Sequence, residues 1–313
     1  MDGLIFDIYR GTTHDGPGMR DTVFLKGCSL ACAWCQNPES IDTVNKVWYH
    51  KNICIGCGKC VHVCPSGAIS VGENGMIFDY SSCLGCNACA GVCSSGALAA
   101  IAERISTDDV LKRVMKDKAF FDISGGGVTI SGGEPLLQSE FTLELLLKLK
   151  EHGISTALDT CGMVSEDIFM SALPHTDILL LDLKIFDSEN HKRLTGAHNR
   201  QILSNAIAAA AYVRKNPAHR LWVRTPIIPG ATDSDDNIRA LASFIRTELT
   251  GAVERWELCM FNRAAAAKYE AIGTEWSYQN EPSISIGTRD RLLRLASEQM
   301  DCEVVASGVI QEK

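Results

Sequence analysis

The chain lacks any apolar run long enough to cross a bilayer. The longest, Ala206 to Val213, falls far short of the roughly 20 residues a spanning helix needs, so no membrane partner is expected. It also lacks a basic excess. A formal net charge of −8 argues against nucleic acid as a partner, which calls for a basic stripe. Met1-Asp2-Gly3 opens with an acid where a secretory signal would be basic, so the expected location is cytoplasmic. There thiols stay reduced, and dense cysteines serve as metal ligands more often than as disulfides. With 313 residues, 46% apolar and 22% charged, the chain has an ordinary globular balance, enough for one large domain and a small insert.

What the chain has in abundance is cysteine. Eleven of its 14 cysteines fall into three tight groups before residue 94. The first, Cys28, Cys32 and Cys35, is spaced C-x3-C-x2-C and has no fourth member. The other two are spaced C-x2-C-x2-C-x3-C: Cys54, Cys57, Cys60, Cys64 and Cys83, Cys86, Cys89, Cys93. Three thiolates can hold three irons of a [4Fe–4S] cube and leave the fourth iron open to a substrate, whereas a full set completes a cube that only moves electrons. Zinc is the competing reading, but a structural zinc site wants four closed ligands, and the first group offers three. In two-cluster modules of this spacing the fourth cysteine of each run serves the other cube. Cys54, Cys57, Cys60 and Cys93 are therefore assigned to one cluster, and Cys83, Cys86, Cys89 and Cys64 to its partner, giving three [4Fe–4S] clusters in all.

The two four-cysteine groups repeat at a constant offset of 29 residues, and their flanks repeat too: Val63-Cys64-Pro65-Ser66-Gly67-Ala68 against Val92-Cys93-Ser94-Ser95-Gly96-Ala97. Residues 49–100 read as a ferredoxin-like insert whose core is its metal, set into a second domain formed by 1–48 and 101–313. After residue 105 strand-like runs at 128–130, 154–160, 178–183, 221–227 and 255–261 alternate with helical patterns near 107–115, 139–153, 165–173, 201–214, 234–249 and 288–300. With the early run 22–26 this makes about six strand–helix units, an α/β pattern that fits a partial (βα)6 TIM-like barrel.

The three-cysteine loop follows strand 22–26, at the strand end where parallel α/β folds bind ligands. Gly132-Gly133-Glu134 ends another strand and offers bare backbone plus one carboxylate; a plain turn is the alternative. Asp182 and Lys184 end a third and share a face because side chains alternate. That pair matches a zwitterionic amino-acid group, or else is a surface ion pair. Asp159 is placed similarly before Thr160. Arg224 lies inside a strand, where an inward arginine is unusual unless it serves function. His14 reads as a loop residue. Cys161, Cys259 and Cys302 stand alone and read as buried small apolar residues.

Together these motifs resemble a known family. Cys28-x3-Cys32-x-Trp34-Cys35 is similar to the signature of the radical S-adenosylmethionine superfamily. Asp15-Gly16-Pro17-Gly18, Lys26-Gly27-Cys28, Cys35-Gln36-Asn37-Pro38-Glu39 and Gly125-Gly126-Gly127-Val128-Thr129 through Gly133-Glu134-Pro135 resemble the glycyl-radical-enzyme activating enzymes, of which pyruvate formate-lyase activating enzyme is the best-known member. The resemblance implies that Cys28, Cys32 and Cys35 hold the catalytic cube and that S-adenosylmethionine chelates its open iron. It implies that Trp34 and Gln36 line the adenine end and that Gly132, Gly133 and Glu134 approach the methionyl amine. Asp182 and Lys184 would contact the methionyl or ribose part, with Arg224 near the cofactor. Asp159 and Asp182, with Thr160, match positions for a monovalent cation. Asn262 stands where the family often has histidine; it can hydrogen-bond but carries no charge. The implied reaction is reductive cleavage of S-adenosylmethionine, after which a 5′-deoxyadenosyl radical takes a hydrogen from a backbone glycine of a partner glycyl radical enzyme. Electrons would come from a donor such as flavodoxin or ferredoxin, relayed by the inserted clusters. A radical enzyme acting on another peptide or small molecule would share the cofactor motifs. A ferredoxin-type electron carrier would explain the repeated cysteines but not the long α/β body.

Overall fold

The computed structural model describes residues 1–73, 75–298 and 300–308. Its strands, in chain order, are β1 (Asp2–Thr12) and β2 (Arg20–Leu25); β3 (Val47–Tyr49), β4 (Ile69–Gly72), β5 (Gly75–Phe78) and β6 (Leu98–Ala100) of a small insert; then β7 (Glu103–Ser106), β8 (Gly127–Gly132), β9 (Ser155–Thr160), β10 (Ile178–Asp182), β11 (Arg220–Ile227), β12 (Val253–Met260) and β13 (Glu303–Ser307). Nine of them form one sheet in the order β13-β12-β11-β10-β9-β8-β2-β1-β7. From β2 through β13 neighbouring strands are parallel, while β1 and β7 add an antiparallel edge. The sheet is open among the described residues, a mixed α/β arrangement consistent with a partial barrel.

The six expected strands are present. β13 adds a seventh parallel strand, and β1 and β7 were not anticipated, because their alternation is broken by charged and glycine residues. The helices lie at Thr107–Val114, Ser139–Glu151, Glu166–Ala172, Arg200–Lys215, Asp235–Glu248 and Ile286–Ser297, close to the expected ranges; position 299 of the last range lies outside the described residues. Local chemistry sets several of their starts. Ser106, not Thr107, caps the first helix by accepting from Asp109 N at 3.1 Å, and Ser234 caps the fifth by accepting from Asn237 N at 3.2 Å.

The two faces of the sheet differ sharply. Val23, Leu25, Val128, Ile130, Leu158, Leu179, Leu181, Val223 and Leu258 point to one side and join Phe141, Leu145, Phe169, Ala206, Ile238 and Leu292 of the helices in a single buried core. Residues of the opposite parity turn away from the helices. At the strand C-terminal ends these are Ser131, Asp159, Asp182, Arg224, Glu257 and Cys259. Deeper along the same face Ala157, Ile178, Leu180 and Trp222 close the floor as a separate apolar cluster. The result is a charged concavity with a greasy base.

The insert closes at its neck, where β3 pairs with β6, and carries a second hairpin, β4 with β5. Val47, Cys60, Ile69, Met76 and Leu98 form its own small core. The sequence repeat is also a backbone repeat: the short helices Lys59–Val63 and Ala88–Gly91 begin one offset apart, each preceded by a left-handed residue, Gly58 (φ +70°) and Asn87 (φ +57°).

Leu158 sits at the centre of the main core and is fully buried. Leu158→Ala is expected to cost about 2–5 kcal/mol of stability, seen as a lower urea midpoint of the holoprotein; an unchanged midpoint would contradict the layer assignment.

Candidate active site

The three-cysteine loop leaves β2 at its C-terminal end and is pinned by main-chain bonds on several sides. Gly27 N donates to Ser40 O at 2.7 Å and Cys28 N to Ile41 O at 3.1 Å. Ala31 N and Ala33 N donate to Thr195 O at 2.8 Å and Leu194 O at 3.0 Å. On the far side the Tyr269 hydroxyl donates to Cys35 O at 3.2 Å. Burial pushes the Cys32 thiol up to about 11 and that of Cys35 to about 12. Desolvated thiols of this kind become thiolates only beside a strong cation, which is the donor set a metal cluster meets.

Gly133 must be glycine for a packing reason: a Cβ there would stand 2.0 Å from Gly27 O. The strand end therefore lies directly against the cysteine loop, and Glu134 N donates to Gly27 O at 2.7 Å. The Glu134 side chain is fully buried. Its carboxylate accepts from Thr160 Oγ1 at 2.7 and 2.8 Å, Cys161 N at 2.9 Å, Cys161 Sγ at 3.0 Å and Leu136 N at 3.1 Å. Burial raises its pKa, and these donors oppose the rise. Asp159 and Thr160 point to opposite faces, so the Thr160 side chain does not join Asp159 and Asp182; it holds Glu134 instead.

Cys161 departs from its reading as an inert apolar residue. Besides its bond to Glu134, it lies 3.8 Å from Ser29 Oγ of the cysteine loop. The clue lay in its place directly after the strand end Asp159-Thr160. Of the other two lone cysteines neither is fully buried, and Cys259 lies on the charged concave face beside Arg224 and Glu257.

On that face Asp182, Arg224 and Glu257 are direct neighbours across β10, β11 and β12. Arg224 Nε lies 3.2 Å from Glu257 Oε2, and its Nη1 lies 3.4 Å from Asp159 Oδ1 and 3.8 Å from Asp15 Oδ1. Its Nη2 donates to His14 O at 3.4 Å, so the early loop folds over the concavity. Ser131 Oγ donates to Asp159 Oδ2 at 2.7 Å. Burial lifts the Asp159 carboxyl to about 6, with Arg224 opposing. Asp182 pairs with Lys184, which is only 8% exposed, so this is no surface ion pair. Burial works against the charged form of Lys184, but Asp182 and the nearby thiols of Cys32 and Cys161 outweigh it and raise its pKa.

Gln36 Nε2 donates to Asn262 O at 3.1 Å, which brings the expected partners Trp34, Gln36 and Asn262 to one rim. Trp34 is buried edge-on against Tyr278, ring centroids 6.3 Å apart. Sequence reasoning missed the segment that closes this rim. Lys268 reaches Glu39 at 2.7 Å and Asn37 at 2.8 Å, and Tyr269 and Tyr278 cover the loop. Nothing in its composition marks that stretch as part of a site.

In the insert the two cysteine runs interleave. One cavity is lined by Cys64, Cys83, Cys86 and Cys89 and another by Cys54, Cys57, Cys60 and Cys93, the exchanged grouping that the spacing rule gives. Among the described residues no three Cys, His, Asp or Glu side chains close on a single metal ion. No helix is long and apolar enough to cross a membrane.

Known proteins resemble this chain in sequence and in fold. The family model described as the Radical SAM superfamily matches residues 80–242, a 4Fe-4S dicluster domain matches 53–97 and a 4Fe-4S single cluster domain matches 14–57. The chain is 36% identical to the choline trimethylamine-lyase activating enzyme of Oleidesulfovibrio alaskensis, over 92% of this chain and 93% of that protein. It is 39% identical to the isethionate sulfite-lyase activating enzyme of Desulfovibrio desulfuricans, over 95% and 94%. Among solved structures a radical SAM methyltransferase from Sphaerobacter thermophilus covers 97% of this chain and 77% of its own, with a TM-score of 0.54 at 13% identity, a likeness of fold.

Thr160→Val keeps shape but removes a donor to the buried Glu134 carboxylate and the acceptor for Gly162 N, 2.9 Å away. It is expected to cost about 1–3 kcal/mol by urea denaturation; a neutral result would contradict the contact.

Proposed function

Because the chain belongs to the glycyl-radical-enzyme activating enzymes of the radical S-adenosylmethionine superfamily, we propose that Cys28, Cys32 and Cys35 hold its catalytic [4Fe–4S] cluster with one iron open to S-adenosylmethionine. The chain is an oxidoreductase that activates a partner glycyl radical enzyme. When bound, the cluster and S-adenosylmethionine supply the chemistry, reductive cleavage of the cofactor and hydrogen abstraction from a backbone glycine of the partner. The observation that carries the site assignment is a three-thiol loop bonded to the end of β8, Glu134 N to Gly27 O at 2.7 Å, at the same strand ends that carry the buried Lys184–Asp182 pair. Cys161 donates its thiol proton to Glu134 at 3.0 Å, which leaves the three sulfurs of the loop as the donors assigned to the cluster.

The chain's own residues bind and orient. Lys184 and Asp182 match the carboxylate and ammonium of a methionyl group, and Asp159 lies close enough to add negative charge for a sulfonium or a monovalent cation. Glu134, locked by Thr160 and Cys161, stiffens the Gly132–Gly133 edge against the loop. Trp34, Gln36, Asn262 and Tyr278 form the rim and keep water from the loop. The cysteine sets of the insert, one lining each cavity, support two further [4Fe–4S] clusters in a ferredoxin-like module over residues 49–100, with the barrel formed by 1–48 and 101–313. Thiolates of a cube each take a separate iron, so they need not close on one ion as zinc ligands do. These clusters would take electrons from a flavodoxin or ferredoxin, in the cytoplasm where such thiols remain reduced.

Anaerobic, reduced protein mixed with S-adenosylmethionine and its partner lyase should give the electron-spin doublet of a glycyl radical. Methionine release without that doublet would point to a different acceptor. A pH effect is also expected. Asp159 is charged above about pH 6 and neutral below it, so affinity for the positively charged S-adenosylmethionine should fall as pH drops from 7 to 5.5. Asp159→Asn should bind more weakly and lose that pH slope. Calorimetric titration across the range checks it; a slope retained in the variant would assign the titration elsewhere.

A further inference from the structure

The two halves of the insert are alike in backbone and unlike in surroundings. Gly56 and Gly85 are one repeat apart, with φ of +67° and +68°. Nothing lies within 4 Å of a Cβ built on Gly56, whereas one built on Gly85 would stand 2.8 Å from Val44 Cγ1 and 2.9 Å from Asn45 N. The half containing Cys83, Cys86 and Cys89 is thus pressed against the body, and the half containing Cys54, Cys57 and Cys60 faces away. Side-chain exposure is alike at the repeat-related Ile55 and Leu84, 68% each, so the difference lies in what the backbone of each half meets.

A second contact repeats the asymmetry. A Cβ on Gly273 would lie 3.2 Å from Tyr80 Cε2, so the Tyr80 ring packs over the turn that follows the helix Ala266–Ala271. Tyr269 of that helix donates to Cys35 O at 3.2 Å and stacks on Trp276 at 5.1 Å. On the insert side Tyr49, Phe78 and Tyr80 form a file with centroids 4.8 and 5.7 Å apart. Tyr49 lines the cavity of Cys54, Cys57, Cys60 and Cys93, while Phe78 and Tyr80 line that of Cys64, Cys83, Cys86 and Cys89. Packed rings therefore lead from the outer cysteine set, past the inner one, to the Gly273 turn, and Tyr269 of the helix before that turn reaches the backbone of the three-cysteine loop. Electronic coupling between redox centres falls steeply with distance, and packed atoms carry it better than water.

Resting on the cluster assignment above, we propose that the insert has an entry and an exit for electrons. Entry is at the set Cys54, Cys57, Cys60 and Cys93. Exit is from Cys64, Cys83, Cys86 and Cys89, through Tyr80, the Gly273 turn and Tyr269 to the loop at Cys35. One electron comes from a reduced iron–sulfur or flavin carrier, which departs oxidised by one electron. Each centre is then reduced by its predecessor and reoxidised by its successor, with no bond formed and no proton moved along the path.

The test uses the holoenzyme of Tyr80→Leu, Tyr269→Leu and the milder Tyr269→Phe, mixed with a reduced ferredoxin and frozen at short times for electron-spin resonance. The catalytic-cluster signal is the one that changes on adding S-adenosylmethionine. Its growth is expected to slow about tenfold in both Leu variants, with the insert signals appearing at the wild-type rate and Tyr269→Phe falling between. Wild-type growth of the catalytic signal in both Leu variants would overturn the path. Entry is tested by Ile55→Glu against Leu84→Glu, one repeat apart and equally exposed. Only the first should slow reduction of the insert by the carrier, through its effect on encounter; an equal or larger effect of Leu84→Glu would overturn the direction. Iron and sulfide counted beforehand separate the two failures. A count for one cluster instead of three would sink the cluster assignment itself.

Discussion

Three thiols have to be gathered on one short loop, two of them where burial disfavours the thiolate, and the rest of the molecule is arranged around that requirement. Burial drives the pKa of Cys32 and Cys35 upward, so the loop offers its sulfurs to nothing weaker than a metal cluster. The fold holds such a loop in place through its backbone. Glu134 N meets Gly27 O, the Thr195 and Leu194 carbonyls accept from Ala31 and Ala33, and the Tyr269 hydroxyl meets Cys35 O. Main-chain anchoring leaves the cysteine side chains to the cluster proposed there.

The sheet divides its labour by parity. One face is apolar and buried under helices, which gives the stability. The other gathers Asp159, Asp182, Arg224, Glu257 and Ser131 at the strand ends over a floor of Trp222, Leu180, Ile178 and Ala157. Arg224 keeps these carboxylates from repelling one another, and its own burial is offset by them. Such a wall suits a cationic cofactor that must lie next to a cluster while a loop of another protein enters. The glycyl-radical-enzyme activating enzymes need that combination.

Much of this was legible in the sequence, and the physical reason is plain. Cysteine spacing is a local property, so the three cysteine groups, the exchanged sets that line the two cavities and the repeat of residues 54–98 could be read from offsets alone. The six central strands are continuous buried runs and were equally visible. Arg224 could be placed on a strand but not given a direction, since parity needs the register of neighbouring strands. Thr160 looked like a companion of Asp159, yet alternation sends it to Glu134. Cys161 looked apolar because its partner Glu134 is distant in the chain. The closing segment with Lys268, Tyr269 and Tyr278 carries no periodic or metal signal, and its function appears only when it folds over Cys35 and Trp34. β7 and β13 escaped because they are short edge strands that open on a charge, and β1 because two glycines and three charged residues interrupt its alternation.

The central claim is that one iron of a cube gripped by Cys28, Cys32 and Cys35 is left open for S-adenosylmethionine. Electron–nuclear double resonance on the reduced protein tests this most directly, using cofactor labelled with 15N in the methionyl amine and 17O in its carboxylate. The account predicts hyperfine coupling from both labels, lost when Cys32 is replaced by alanine. Absence of coupling in an intact, reduced protein, or zinc in place of iron at the three thiols, would contradict it.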